Sequence, residues 1–153
     1  MYSIYFLNVP SSTFFYFSED YMYTLSTESS FDAAHFLTNY NGKCANIHGH
    51  RWRVVLNICG EMNNGMVVDF NIIKKDLKEL CDYFDHTFIV EKDSFKKELF
   101  DMLNEQFVLR VVEFRTTAEN FAKYFYDKLS EKYDVSSVSI YETPNNCAVY
   151  SCK

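Results

Sequence analysis

Residues 48–61 read HGHRWRVVLNICGE, and the alternation in that stretch decides the fold. His48, His50, Trp52, Val54, Leu56 and Ile58 fall on one side of an extended chain, and the residues between them on the other. This is the pattern of a long, half-buried strand. Residues 22–35 alternate in the same way: Tyr23, Leu25, Phe31, Ala33 and His35 share one face, and Thr24, Ser26, Glu28 and Asp32 the other. Asn39, Asn41 and Gly42 between the two stretches are turn residues, as are Asn63, Asn64 and Gly65 after them. Met66–Phe70 reads as a short extended piece.

Helical spacing follows. Ile73, Leu77, Leu80, Cys81 and Phe84 form one apolar stripe, with Asn71 expected as its N-cap. Phe95, Leu99, Met102 and Leu103 predict a shorter helix after Ser94, and Val108–Phe114 an extended segment. Thr116-Thr117-Ala118-Glu119 has the form of a capping box, opening a helix that buries Phe121, Ala122, Phe125 and Leu129. Two last strands, Val135–Glu142 and Cys147–Ser151, are joined by a turn over Thr143-Pro144-Asn145-Asn146. Strands, then helices, then strands predict an α+β domain with helices on one face of an antiparallel sheet.

The chain has 153 residues, enough for one domain. Its net charge of −6 disfavours a nucleic-acid partner. No apolar run reaches the ~18 residues of a membrane helix. No Lys or Arg precedes Lys43, so a signal peptide is not expected. Five cysteines, an odd number without a C-x-x-C pair, fit a reducing cytoplasm better than a disulfide framework. Residues 1–21 differ from the rest, with eight aromatics and no sustained period. They read either as an N-terminal extension ahead of a single domain over 22–153, with Met22 as its start, or as an extra strand.

Only four histidines occur, His35, His48, His50 and His86. His48 and His50 leave the same face of a strand, roughly 7 Å apart along the chain. If the two strands pair near His35, three imidazoles converge. Three neutral imidazoles around Zn²⁺ leave one position for water or substrate, as in catalytic zinc sites. Cys44 is either a fourth ligand that closes the site or a free thiolate base beside the metal. In Asp85-His86, a carboxylate can orient or tune an imidazole for proton transfer. Glu142, at a strand end, can accept two parallel hydrogen bonds from a guanidine-like edge. Glu119 is also the acid that a capping box would use.

Six segments together resemble the 6-pyruvoyltetrahydropterin synthase family: Phe31–His35, Cys44–His50, Gly65–Phe70, Asp85–Phe88, Thr116–Asn120 and Tyr141–Pro144. The resemblance spans about Met22–Tyr150. Three residues separate Cys44 from His48, and this spacing, Val68-Asp69-Phe70 and Glu142-Thr143-Pro144 resemble the bacterial branch of queuosine and 7-deazaguanine biosynthesis. Asn145-Asn146 resembles the animal branch.

The resemblance implies the tunnelling fold: a four-stranded antiparallel sheet with two main helices on one face. Trimers close such sheets into a barrel, and two trimers stack as a homohexamer with sites between subunits. It also implies conversion of 7,8-dihydroneopterin triphosphate to 6-carboxytetrahydropterin, acetaldehyde and triphosphate. His35, His48 and His50 would hold Zn²⁺ and Cys44 would act as base. Asp85 and His86 would relay protons, and Glu142 would anchor the pterin. Thr117 and Glu119 would line the pocket. The alternatives are the pyruvoyl reaction, which eliminates triphosphate only, and a non-catalytic zinc module with a closed His₃Cys site.

Overall fold

A computed structural model describes residues 22–151. The expectations for residues 1–21 lie outside the described residues. Nine elements and one 3₁₀ turn (Lys43–Ala45) follow in order: β1 (Met22–His35), β2 (His48–Glu61), α1 (Phe70–Phe84), β3 (Thr87–Glu91), α2 (Lys97–Asn104), β4 (Leu109–Val112), α3 (Ala118–Ser130), β5 (Val135–Thr143) and β6 (Asn146–Ser151).

The sheet has six strands in the order β4-β3-β1-β2-β5-β6. The expected antiparallel four are present as β1, β2, β5 and β6. The expected four-stranded sheet is corrected to a mixed six-stranded one, because β3 joins β1 in parallel and β4 joins β3 in parallel. Parallel neighbours need a crossover, and the eight-residue α2 provides it between β3 and β4. Among the described residues there are thus three α-helices, two of them long.

The alternating faces of β1 and β2 meet as their patterns demand. Their register runs unbroken from Met22↔Glu61 to His35↔His48. Trp52, Val54, Leu56 and Ile58 are buried on the face that packs against α1 and α3. From α1, Ile73, Leu77, Cys81 and Phe84 enter the core; from α3, Phe121, Ala122, Phe125 and Leu129. Phe31 stacks between Trp52 and Phe125 at ring distances of 5.9 and 6.0 Å. Truncating an aromatic of this kind to alanine costs about 3–5 kcal/mol.

Two caps differ from expectation. Asp69, not Asn71, caps α1: its carboxylate accepts the Asn71 N–H at 2.8 Å. A carboxylate there also favours the positive end of the helix dipole. Thr117, not Thr116, caps α3, so the third helical position is Asn120 and not Glu119. Asn120 instead turns back to donate to the Arg115 carbonyl at 2.9 Å. No described helix is long and apolar enough to cross a membrane.

Candidate metal centre and its surroundings

The β1–β2 register sets His35 opposite His48 and Ala33 opposite His50. All three imidazoles therefore leave one face at one end of the hairpin. Their ring centres are 4.5, 4.9 and 5.2 Å apart. One nitrogen from each lies within 4.8 Å of the others. Trp52 forms the floor, 4.9 Å from the His35 ring and 5.6 Å from that of His50. Close strand packing does not require a glycine at position 49. A Cβ there would meet only the Ala33 carbonyl oxygen, at an ordinary 3.7 Å.

Hydrogen bonds decide which nitrogen points inward. His35 Nδ1 lies 2.9 Å from the Thr116 carbonyl oxygen, and His48 Nδ1 lies 2.8 Å from that of Asn46. A carbonyl can only accept, so both Nδ1 atoms carry a proton, and in the neutral imidazole Nε2 is then the nitrogen with the lone pair. Those two Nε2 atoms are buried and have no hydrogen-bond partner among the described residues. Buried polar atoms rarely stay unsatisfied. A divalent cation satisfies both, and a ligand imidazole held by a backbone carbonyl through its other nitrogen is the usual arrangement at metal sites.

The electrostatics agree. His35 is fully buried, and that burial, with the neighbouring His48 and His50, pushes its pKa down to about 4. His50 is also lowered, by burial first, against the raising influence of Glu142. Both are neutral at pH 7, the form that binds metal.

Glu142, near the end of β5, brings Oε1 to 3.5 Å from His35 Nε2 and 3.7 Å from His50 Nε2. A cleft of about 970 Å³ opens here, lined by Gly49, His50, Arg51, Arg53, Tyr141 and Glu142. Arg53 forms its wall, stacked 3.9 Å over the Tyr141 ring and 3.4 Å from Glu28.

The other expected residues are placed elsewhere. Cys44 sits half-buried on the 3₁₀ turn and is not part of the ligand group. Asp85 and His86 do touch, with Oδ2 to Nδ1 at 2.7 Å. Asp85 Oδ1 accepts the Asp32 N–H at 2.8 Å, and the His86 N–H reaches the Asp32 carbonyl at 2.7 Å. The pair thus extends the β1–β3 ladder by one step, three residues before His35. His86 has φ 53°, the left-handed region, and its side chain is 81% exposed. Among the described residues, no hydrogen bond, ion pair or ring contact joins Cys44 or His86 to the three-histidine cluster. Thr117 caps α3 and Glu119 is exposed in its first turn. Their neighbour Thr116 is the fully buried one, and it holds His35.

An open-sided three-histidine cluster at one end of the β1–β2 hairpin, with a carboxylate at its rim, has the donor set of a metal-binding active site. The chain belongs to the 6-pyruvoyl tetrahydropterin synthase family, whose profile matches residues 24–153. A 6-carboxy-5,6,7,8-tetrahydropterin synthase of Haemophilus influenzae is 35% identical over 106 residues, covering 64% of this chain and 75% of its own. One from Rickettsia typhi is 33% identical over 95 residues, covering 59% and 67%. A Pyrococcus horikoshii relative is 43% identical over 75 residues, and the match spans 45% of its length.

Among solved structures, a protein of Wolinella succinogenes described as uncharacterized superposes with a TM-score of 0.73 at 19% identity, over 87% of this chain and 99% of that one. Caenorhabditis elegans 6-pyruvoyl tetrahydropterin synthase gives 0.64 at 26% identity, over 86% and 96%. The first of these likenesses speaks to the fold alone.

Proposed function

We propose that this chain is a lyase that converts 7,8-dihydroneopterin triphosphate and water to 6-carboxy-5,6,7,8-tetrahydropterin, acetaldehyde and triphosphate, in queuosine and 7-deazaguanine biosynthesis. The observation that carries the reading is the pair of buried, unpartnered Nε2 atoms beside an open cleft. The relatives named for this reaction supply the choice of chemistry. Zinc held by His35, His48 and His50 would polarise the substrate's side-chain hydroxyls as a Lewis acid.

The chain's own groups handle the protons. Cys44 Sγ takes one from the substrate side chain. Asp85 Oδ2 holds the His86 Nδ1–H at 2.7 Å, which leaves His86 Nε2 to pass protons onward. Glu142 accepts the pterin's 2-amino and ring N–H donors and shares in the relay. Thr117 and Glu119 are weaker lining candidates. The pterin ring is reduced at the expense of its side chain, so no nicotinamide is required.

The same reading places the work in a cytoplasmic homohexamer, a dimer of trimers with shared sites. Two facts support sharing. The His86 side chain is exposed and no described contact joins it to the cluster in its own chain. β4 and β6 are edge strands whose unpaired groups barrel closure would cover. Sedimentation of the purified protein reads the assembly, and a fully active monomer would rule it out.

The pyruvoyl alternative rests on Asn145-Asn146. Both residues serve the β5–β6 turn, where their N–H groups donate to Thr143 Oγ1 at 3.4 and 3.1 Å. A closed His₃Cys module needs Cys44 among the ligands, and the ligand group forms without it. Product analysis after incubation with the triphosphate substrate separates these readings.

A further inference from the structure

We propose that Glu142 is itself a metal ligand in the substrate-free protein, a carboxylate cap that the substrate must displace. The capping half rests on distances alone. The displacement half rests on the function proposed above.

The distances from Glu142 Oε1 to the two Nε2 atoms are 3.5 and 3.7 Å. Both are too long for an N–H···O hydrogen bond, which spans about 2.7–3.2 Å. They match another geometry. In tetrahedral zinc, bonds of about 2.0–2.2 Å set neighbouring donor atoms about 3.3–3.6 Å apart. The carboxylate oxygen stands from the Nε2 atoms of His35 and His50 at nearly that edge length, and a short movement toward His48, from which it now lies farther, would complete the set.

The proton inventory points the same way. His35 spends its Nδ1–H on the Thr116 carbonyl, so its Nε2 faces Glu142 with a lone pair. Two lone pairs facing each other across 3.5 Å repel unless a cation lies between them. His35 Nε2 is buried with no hydrogen-bond partner among the described residues, so a cation between the two atoms fits the arrangement. Glu142 can also leave. Its side chain is 28% exposed and borders the cleft, so it can rotate toward the pterin as hydroxyl oxygens arrive. One carboxylate would then cap the resting metal and grip the bound substrate.

The test uses the purified full chain and its Glu142→Gln variant, which keeps the shape and removes the charge. Zinc affinity is measured by chelator competition. The variant is expected to bind zinc at least about tenfold more weakly, since even an outer-shell partner is worth that much. Cobalt replaces zinc for spectroscopy. The wild-type cobalt spectrum is expected to shift when 7,8-dihydroneopterin is added, and the unliganded variant is expected to differ from the unliganded wild type. A third reading needs no fold-sensitive comparison: zinc binding to wild type should shift a carboxylate band in the infrared difference spectrum. Equal zinc affinity and superimposable cobalt spectra, or no carboxylate shift, overturn the cap and leave the three-histidine centre standing. Failure of the wild-type protein to take up zinc or cobalt at all overturns both the cap and the proposed function.

Discussion

His35 Nδ1 donates to the carbonyl oxygen of Thr116 at 2.9 Å, across 81 residues of sequence. This one bond links the end of β1 to the entrance of α3. It fixes the tautomer of the most buried of the three histidines and leaves its other nitrogen facing the cluster. The Thr116 hydroxyl lies 3.3 Å from the same nitrogen and donates to the Phe36 carbonyl at 2.8 Å. The ligand is thus oriented by the fold before any metal arrives.

Thr116→Val separates these contacts. It keeps the carbonyl that orients His35 and deletes the hydroxyl. Zinc affinity is expected to stay within about tenfold of wild type, below the usual loss of an orienting partner. Stability is expected to fall by about 1 kcal/mol, the net worth of one hydrogen bond. Urea unfolding and chelator competition on the same preparation check both halves.

His48→Ala and His50→Ala should each lose most of the bound metal, because two imidazoles rarely hold zinc against dilution. The single Trp of the sequence, Trp52, lies 4.9 Å from the His35 ring and reports the event. Zinc added to metal-free wild type should change the tryptophan emission and saturate near one ion per chain. The same titration of His48→Ala should be flat.

Cys44→Ala should retain zinc and assembly while turnover drops on the order of 10²–10⁴, the usual loss on removing a general base. Zinc by atomic absorption and turnover by product analysis, on one sample, decide the point. Loss of zinc along with activity would make Cys44 a ligand.

Asp85 and His86 predict a pH signature. The carboxylate hydrogen-bonded to His86 raises its pKa above the usual 6.5. Asp85 is lowered, first by the Asp32 N–H and then by His86. A raised histidine stabilises the fold below the unfolded value, and that contribution is lost as pH rises through the folded one. A lowered carboxylate contributes above its unfolded value and loses this as pH falls through its folded one. NMR titration of the His86 ring should show the upward shift, and Asp85→Asn should remove most of it. An unchanged His86 titration in that variant would break the pairing.

The hairpin and its histidines were legible because a strand's period of two is strict and both stretches are long. His48-Gly49-His50 placed two ligands on one face, and the parity of β1 placed the third. β3 was not legible. Thr87–Glu91 carries only three consecutive apolar residues, Phe88–Val90, two residues after a helix, and its parallel pairing joins it to β1, more than fifty residues earlier in the chain. The capping box was read one residue early because both Thr116 and Thr117 can cap. Tertiary structure resolves the choice, since Thr116 is needed inside against His35. The approach of Glu142 to the cluster depends on the β2–β5 register, which pairs Arg53 with Tyr141. No local spacing encodes that register.

The identity of the pterin product decides between the carboxy and pyruvoyl reactions. Purified zinc-loaded protein is incubated with 7,8-dihydroneopterin triphosphate, and the pterin and volatile products are identified by mass spectrometry. The expected products are 6-carboxy-5,6,7,8-tetrahydropterin and acetaldehyde in equal amounts. A pyruvoyl pterin with triphosphate and no acetaldehyde, or unchanged substrate, would contradict it.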